Sequence, residues 1–224
     1  MKIRGVTFSV TRLLREQIIT GELSSGEKLN ENEMAVRLEI SRPPLREAFR
    51  KLEYEKLVVS IPRKGTYVSS ISIGDCEELF RVRELIECTV VDCLKMKKIR
   101  QLPIVEETIS MVEKLPASSP SHPETLHPLY YYKPMAAFHE KLVESSENRW
   151  LIHSYNSLGG SLARYQIMYL NLPGSLHVSM GEHSSVLQMI QEGNFAAAKK
   201  RLKAHLDGTA KRLKEKMIQA EMLE

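Results

Sequence analysis

Arg42, Arg46 and Arg50 stand four residues apart in the segment Ser41-Arg42-Pro43-Pro44-Leu45-Arg46-Glu47-Ala48-Phe49-Arg50. In an α-helix that spacing sets all three on one face. Leu45, Ala48, Phe49 and Leu52 recur at helical spacing around another face, which can pack on a core. A guanidinium fork can pair with a guanine edge or grip phosphate oxygens. A short helix with one buried side and one arginine side therefore suits the major groove of DNA. The same stripe also reads as an ordinary solvated face. Arg63 and Lys64, followed by Gly65 and Thr66, form a second basic point. At the tip of a hairpin they could touch phosphate or enter a minor groove, or simply be a charged turn.

The neighbouring segments supply the elements that would hold these residues. Val10 to Ile19 has the pattern of an amphipathic helix, with Leu13, Leu14, Ile18 and Ile19 on its apolar side and Gly21 to end it. Leu23 to Leu29 is a turn-rich connection. Asn30 is placed to cap a second helix carrying Met34, Ala35 and Leu38. A tight turn at Glu39-Ile40-Ser41 follows, and Ser41 is placed to cap the arginine helix. Pro43 and Pro44 fall in its first turn, where a missing N–H costs little. Leu57 to Ile61 and Thr66 to Val68 read as strands joined by Pro62-Arg63-Lys64-Gly65. The layout is a helix-turn-helix followed by a basic wing.

Composition narrows the class. The chain has 224 residues, 42% of them hydrophobic, and a net charge of +4. Residues 1–70 hold 13 lysines and arginines against nine acidic residues, while the remainder is balanced at 19 against 19. The positive excess therefore lies in the N-terminal third, as expected if that part alone meets a polyanion. Cys76, Cys88 and Cys93 form no CxxC pair. Their odd number argues for reduced thiols in a cytoplasm, as helix-packing residues. The N-terminus lacks the apolar core of a signal peptide, and no run reaches the roughly 18–20 apolar residues of a membrane span, so no membrane partner is expected.

Ser69 to Gly74 is small and short, a hinge, with 71–74 taken as the linker between domains at 1–70 and 75–224. Beyond it the pattern is helical almost throughout. Helices are expected at 75–98, 103–115, 132–147, 149–171, 175–192 and 195–220, with Asn148 and Asn194 as caps. The proline-rich run 116–128 reads as a loop. The fold class is mainly α: an N-terminal winged helix-turn-helix plus a C-terminal all-α bundle.

Several short motifs now add up to a family resemblance. Gly21-Glu22-Leu23, Gly26-Glu27-Lys28-Leu29, Ser41 to Ala48, Leu57-Val58 and Arg63-Lys64-Gly65-Thr66-Tyr67-Val68 together resemble the N-terminal domain of the GntR transcription regulators, over nearly all of residues 8–70. The resemblance implies that Arg42 and Arg46 touch operator DNA, that Pro44 sits by the phosphates, and that Gly65 lets the wing tip approach the minor groove. It extends to Arg50 and Asn32. Lys56 stands where the family usually has glycine at the end of the recognition helix. A lysine is expected to close that helix without a left-handed turn.

In the second half, Arg83-Glu84-Leu85-Ile86-Glu87, Phe138-His139, Ser145-Ser146-Glu147-Asn148, Glu182-His183 and Ala204-His205-Leu206 resemble the FadR-like branch, with its helical FCD-type effector domain, over about residues 75–212. The family's metal site joins an Asp and a His one turn apart to two later histidines. His139, His183 and His205 occupy the histidine positions, and Met135 replaces the aspartate. Three imidazoles from three helices suit a divalent ion such as Zn, Ni or Mn, with positions left for water or ligand. They equally read as polar histidines lining a cavity. A thioether is no substitute for a carboxylate on a hard or borderline cation. His122, His127, His153 and His177 have no such support and read as solvent or loop residues. In the family picture Arg83 faces the same region, where it would receive an anionic effector, or else it pairs with Glu87 one turn on. Arg164 is a further effector-binding candidate. Tyr130-Tyr131-Tyr132 either cover the mouth of the bundle or pack within it.

The resulting expectation is a ligand-responsive, cytoplasmic transcription regulator, a repressor that binds a palindromic double-stranded DNA operator as a homodimer and senses a small carboxylate. One recognition helix reads few base pairs, and a two-fold axis supplies the second. Two rivals differ in class. A metal hydrolase would use zinc-bound water at the three histidines, but His139-Glu140 is followed by Val143 where an HExxH motif needs its second histidine. The other rival is a constitutive DNA-binding dimer with no effector.

Overall fold

The computed structural model describes residues 2–114 and 129–221, apart from the side chains of 2–4, 129–130 and 221. The expected loop at 116–128, with His122 and His127, lies outside the described residues. The chain divides into two compact units, one of residues 1–72 with Leu158–Arg164, the other of 73–157 with 165–224.

In the first unit α1 (Lys2–Thr20) precedes a two-residue strand β1 (Lys28–Leu29), α2 (Glu31–Arg37), α3 (Arg42–Tyr54), β2 (Val58–Ile61) and β3 (Gly65–Val68). The first helix starts eight residues earlier than the apolar pattern suggested, because Thr7 and Val10 continue its buried stripe with Leu14 and Ile18. Gly21, at φ 84°, turns the chain out of it. The Asn30 side chain accepts from the N–H groups of Asn32 at 3.0 Å and Glu33 at 3.4 Å. Such a cap is worth about 1 kcal/mol. Ser41 holds the N-cap position of α3, but its side chain makes no capping bond.

Pro44, Leu45, Ala48, Phe49 and Leu52 form the buried face of α3. They share a core with Leu14 and Ile18 of α1 and Met34 and Ala35 of α2. Lys28 and Leu29, read from sequence as part of a turn, pair with Tyr67 and Thr66 and make the sheet three-stranded in the order β1-β3-β2. Ile61 faces Gly65 across the hairpin, so Pro62, Arg63 and Lys64 form its tip. Gly65 has φ 116°, and a Cβ there would come within 3.4 Å of Lys28 Cε.

The expected end of α3 needs correction. Lys56 adopts a left-handed φ of 60°. Its N–H donates to Glu53 O at 3.0 Å, and that of Leu57 to Leu52 O at 2.9 Å. This paired closure needs a left-handed residue, and lysine takes the role glycine fills at lower cost.

The second unit is helical: α4 (Ile73–Lys97), α5 (Pro103–Glu113), α6 (Leu129–Glu144), α7 (Arg149–Leu170, apart from its Leu158–Arg164 stretch in the first unit), α8 (Ser175–Gln191) and α9 (Phe195–Glu221). Ile73 and Gly74 belong to α4, so it takes up half of the expected linker. Asn148 caps α7, accepting from Trp150 and Leu151, and Asn194 accepts from Ala197 at the start of α9. Against α9 lie α4 and α8, and α5 lies against α6 and α8. Cys76 and Cys88 are buried packing residues, and burial pushes each thiol up to about 11. Among the described residues, no helix is long and apolar enough to cross a membrane.

Candidate DNA face and histidine centre

The arginine stripe lies on the open side of α3. Arg42, Arg46 and Arg50 are exposed, and each rests on a polar neighbour. Arg42 Nη1 donates to Asn32 Oδ1 at 3.4 Å. Arg46 Nε donates to Glu31 Oε2 at 2.8 Å, and Arg50 Nη1 to Glu47 Oε1 at 2.7 Å. Exposed pairs of this kind contribute little to stability, so these side chains can exchange partners at little cost. Asn32 is exposed beside them, and Arg63, Lys64 and Gly65 are exposed at the wing tip, with Thr66 half-buried. Pro44 differs from its expected place beside phosphates. It is buried on the core side of α3, about 160° around the helix axis from both Arg42 and Arg46.

His139 on α6, His183 on α8 and His205 on α9 converge in the second unit. All are buried, with one ligand atom from each lying within 4.8 Å of the others. Facing Nε2 atoms of His183 and His205 are 3.3 Å apart. Phe138 stacks on His183 with ring centres 4.0 Å apart. Two carboxylates orient two of the rings. Glu87 Oε2 lies 2.8 Å from His139 Nδ1, and Glu182 Oε2 lies 2.6 Å from His205 Nδ1. In a neutral imidazole whose Nδ1 donates to a carboxylate, Nε2 keeps its lone pair, as metal-binding histidines require.

Burial is the leading cause that holds His139 and His183 well below the usual histidine range, and it also lowers His205 against the pull of Glu182. Neutral rings are therefore favoured at physiological pH. Glu87 is fully buried and also receives Arg83 Nε at 2.7 Å. Burial pushes its carboxyl up, opposed by Arg83. For Arg83 burial works downward, but Glu87 with Tyr155 and Tyr132 together outweigh it, and the guanidinium is held above its usual value. A buried guanidinium that keeps its charge is balanced by the anionic form of Glu87.

A cavity of about 30 Å³ adjoins the three rings, with Arg83, Tyr132, Met135, Tyr169 and Thr209 also in its wall. That is room for one water or one ion. Arg83 Nη2 and Thr209 Oγ1 are buried there without a hydrogen-bond partner among the described residues. Arg83 thus both pairs with Glu87 and faces the cavity. Arg164, expected with it, does not line the cavity. Its Nη1 donates to Ser69 O at 2.7 Å. The cavity-lining side of α7 passes instead through Gln166, Tyr169 and Leu170, and position 164 lies about half a turn from 166. Tyr131 is buried, and Tyr132 lines the cavity. His153 and His177 are exposed. Sequence reasoning had Glu87 only as a partner for Arg83 and had no role for Glu182. Only the fold brings Glu182 to His205 rather than to its neighbour His183.

Comparison with known proteins agrees with both halves. Residues 8–68 match the bacterial regulatory proteins of the gntR family, and residues 78–208 match the FCD domain. YdhC of Bacillus subtilis, an uncharacterized HTH-type transcriptional regulator, is 26% identical over 202 residues, spanning 90% of this chain and 88% of its own. RspR of Escherichia coli, an HTH-type transcriptional repressor, is 38% identical over 85 residues, 38% of this chain and 37% of its own. The solved structure of a regulator assigned to GntR from Rhodococcus sp. RHA1 superposes with a TM-score of 0.72 at 21% identity, covering 92% of this chain and 96% of that one. The chain belongs to the GntR family of bacterial regulators, with an FCD effector domain, and is a DNA-binding transcription regulator rather than an enzyme.

Proposed function

We propose that this regulator binds a palindromic operator as a homodimer, as a repressor, and that a small carboxylate together with a bound metal ion controls its grip on DNA. The observation that carries the reading is the buried histidine cluster with an unpartnered Arg83 Nη2 in the same cavity wall. Buried polar atoms without partners call for a ligand, and a guanidinium suits a carboxylate. His139, His183 and His205 would hold a divalent ion such as Zn, Ni or Mn. The ion would supply a charged anchor to which an effector oxygen can bind. Because the cavity has room for a single water or ion, the effector enters as side chains at its wall move, Tyr132 among them.

On the DNA side, Arg42, Arg46 and Arg50 enter the major groove, Asn32 contributes beside them, and Arg63, Lys64, Gly65 and Thr66 form the wing contact. Arg46 leaves Glu31 for DNA at small cost, since both are exposed enough to be solvated. Dimerisation is supported by an exposed apolar stripe on α4. Val82 and Leu85 are 43% and 58% exposed and Met96 is 75% exposed, at spacings that keep them on one side. The effector acts by preferring one spacing of the two recognition helices over another.

The test is operator affinity of the native-length protein, measured by fluorescence anisotropy on DNA from its own upstream region. Metal-loaded and metal-stripped protein are compared across a panel of small carboxylates. A change in affinity that needs both the carboxylate and Arg83, lost in Arg83→Met, supports the reading. Operator affinity unmoved by every carboxylate at saturation leaves the constitutive dimer instead.

A further inference from the structure

We propose that the histidine centre is built for a soft monovalent cation, copper(I), with Met135 as its fourth ligand. The proposal rests on the reading of the three histidines as a metal site and replaces the divalent ion of that reading with a monovalent one. Met135 and His139 stand one turn apart on α6, so they share a face of that helix. Met135 is buried and lines the same cavity as His139, His183 and His205. The donor set that meets in the cavity is three imidazoles and a thioether.

Charge and softness both favour copper(I). Glu87 and Glu182, the two acids that touch the cluster, are held at Nδ1 of His139 and His205, on the far side of those rings from Nε2. Among the described residues no other carboxylate lines the cavity to neutralise a divalent ion, and the Arg83 guanidinium in the wall adds positive charge. Moving an ion from water to a low-dielectric site costs free energy that grows with the square of its charge. A monovalent ion therefore loses far less on entry than zinc, nickel or manganese. Thioether sulfur is a soft ligand that selects copper(I), whereas hard and borderline ions prefer oxygen. Imidazole serves either kind. One residue separates the two outcomes: an aspartate at 135 would restore an anionic oxygen, and the methionine present withholds it.

The experiment is an anaerobic titration of the full-length, untagged protein with copper(I) buffered by a chromogenic chelator, beside a zinc titration. The variants are Met135→Leu, Met135→Asp and His183→Ala. Leucine nearly conserves the volume of methionine, and circular dichroism checks the fold of each variant. The expected result is one copper(I) per chain, with affinity about tenfold or more weaker in Met135→Leu, as for loss of a coordinating group. Zinc affinity is unchanged in that variant and rises in Met135→Asp. X-ray absorption of the copper-loaded protein shows a sulfur neighbour that Met135→Leu loses. Zinc bound through the histidines, lost in His183→Ala, with copper(I) held equally by wild type and Met135→Leu, overturns this proposal and leaves the three-histidine site standing. Failure of the wild type to bind either ion overturns both.

Discussion

The arginine face and the histidine centre are opposite solutions to placing charge. The arginines come from one helix, are exposed, and rest on polar side chains they can leave. The histidines come from three helices and are buried, two of them held by carboxylates and the third stacked on Phe138. A surface stripe costs little to build and little to lose. A buried cluster has few alternatives, because each polar atom removed from water needs a partner. Substitutions should therefore separate the two regions, with stability effects at the centre and binding effects alone at the face.

The sharpest separation is expected from Glu87→Gln. Glu87 balances Arg83 and orients His139, all three being buried. Removing its charge leaves a buried guanidinium uncompensated, which costs about 3–5 kcal/mol. Urea unfolding should show that loss, with metal affinity reduced about 10–100-fold as His139 loses its orienting acid. An unfolding midpoint like that of wild type would mean that the centre is no more committed than the surface, and the contrast would fail.

Arg46→Ala is the matching change on the other side. Loss of a paired guanine contact costs about 1–3 kcal/mol, roughly 10–100-fold in operator affinity. Stability and metal binding should stay at wild-type values, since the pair that exposed Arg46 makes with half-buried Glu31 remains open to solvent. A similar loss on random-sequence DNA would reassign Arg46 from base reading to phosphate contact.

The two regions also differed in how far the amino-acid sequence disclosed them. The fold of the candidate DNA face was legible because its information is local: a four-residue arginine spacing, two prolines in a first turn, and a hairpin with a basic tip. The helices of the second unit were legible to within a few residues from periodicity and the Asn148 and Asn194 caps. The centre was legible in its histidines, Met135 and Arg83, through resemblance. Glu182 beside His183 carries no local sign that it serves His205 on another helix. Arg164 reads as a weaker candidate of the same kind as Arg83, and half a turn of α7 separates it from the cavity side. Strand β1 escaped notice because two residues are too few to show alternation, and only pairing with β3 defines them.

Proton linkage offers a third contrast. His139, His183 and His205 have folded-state pKa values lowered, mainly by burial, from the ordinary value near 6.5. Below about pH 6.5 the unfolded chain takes up protons that the folded centre refuses, so stability falls with falling pH. The contribution is fully present above that pH and is lost as pH drops through the lowered values. Each such histidine adds a slope of up to about 1.4 kcal/mol per pH unit. Urea midpoints of metal-free protein measured from pH 8 to pH 5 should show the decline, and His183→Leu should flatten part of it. An unchanged slope in that variant would place the pH sensitivity outside the centre.

The smallest effect is expected at a backbone position, and it runs in the opposite direction. Lys56 holds φ at 60° to close α3, with its own N–H on Glu53 O and that of Leu57 on Leu52 O. A left-handed conformation costs an L-residue with a side chain roughly 1–2 kcal/mol, and glycine escapes it. Glycine also loses more backbone freedom on folding, which takes back part of the gain. Lys56→Gly should therefore stabilise the protein by about 0.5–1 kcal/mol, while Lys56→Ala, which keeps the Cβ, should change little. The pair of variants separates backbone strain from any role of the exposed lysine head. If both raised the unfolding midpoint equally, the lysine side chain and not its φ would be what costs stability. If glycine stabilised the fold and also weakened operator binding, the DNA face would be less independent of its scaffold than its exposed arginines suggest.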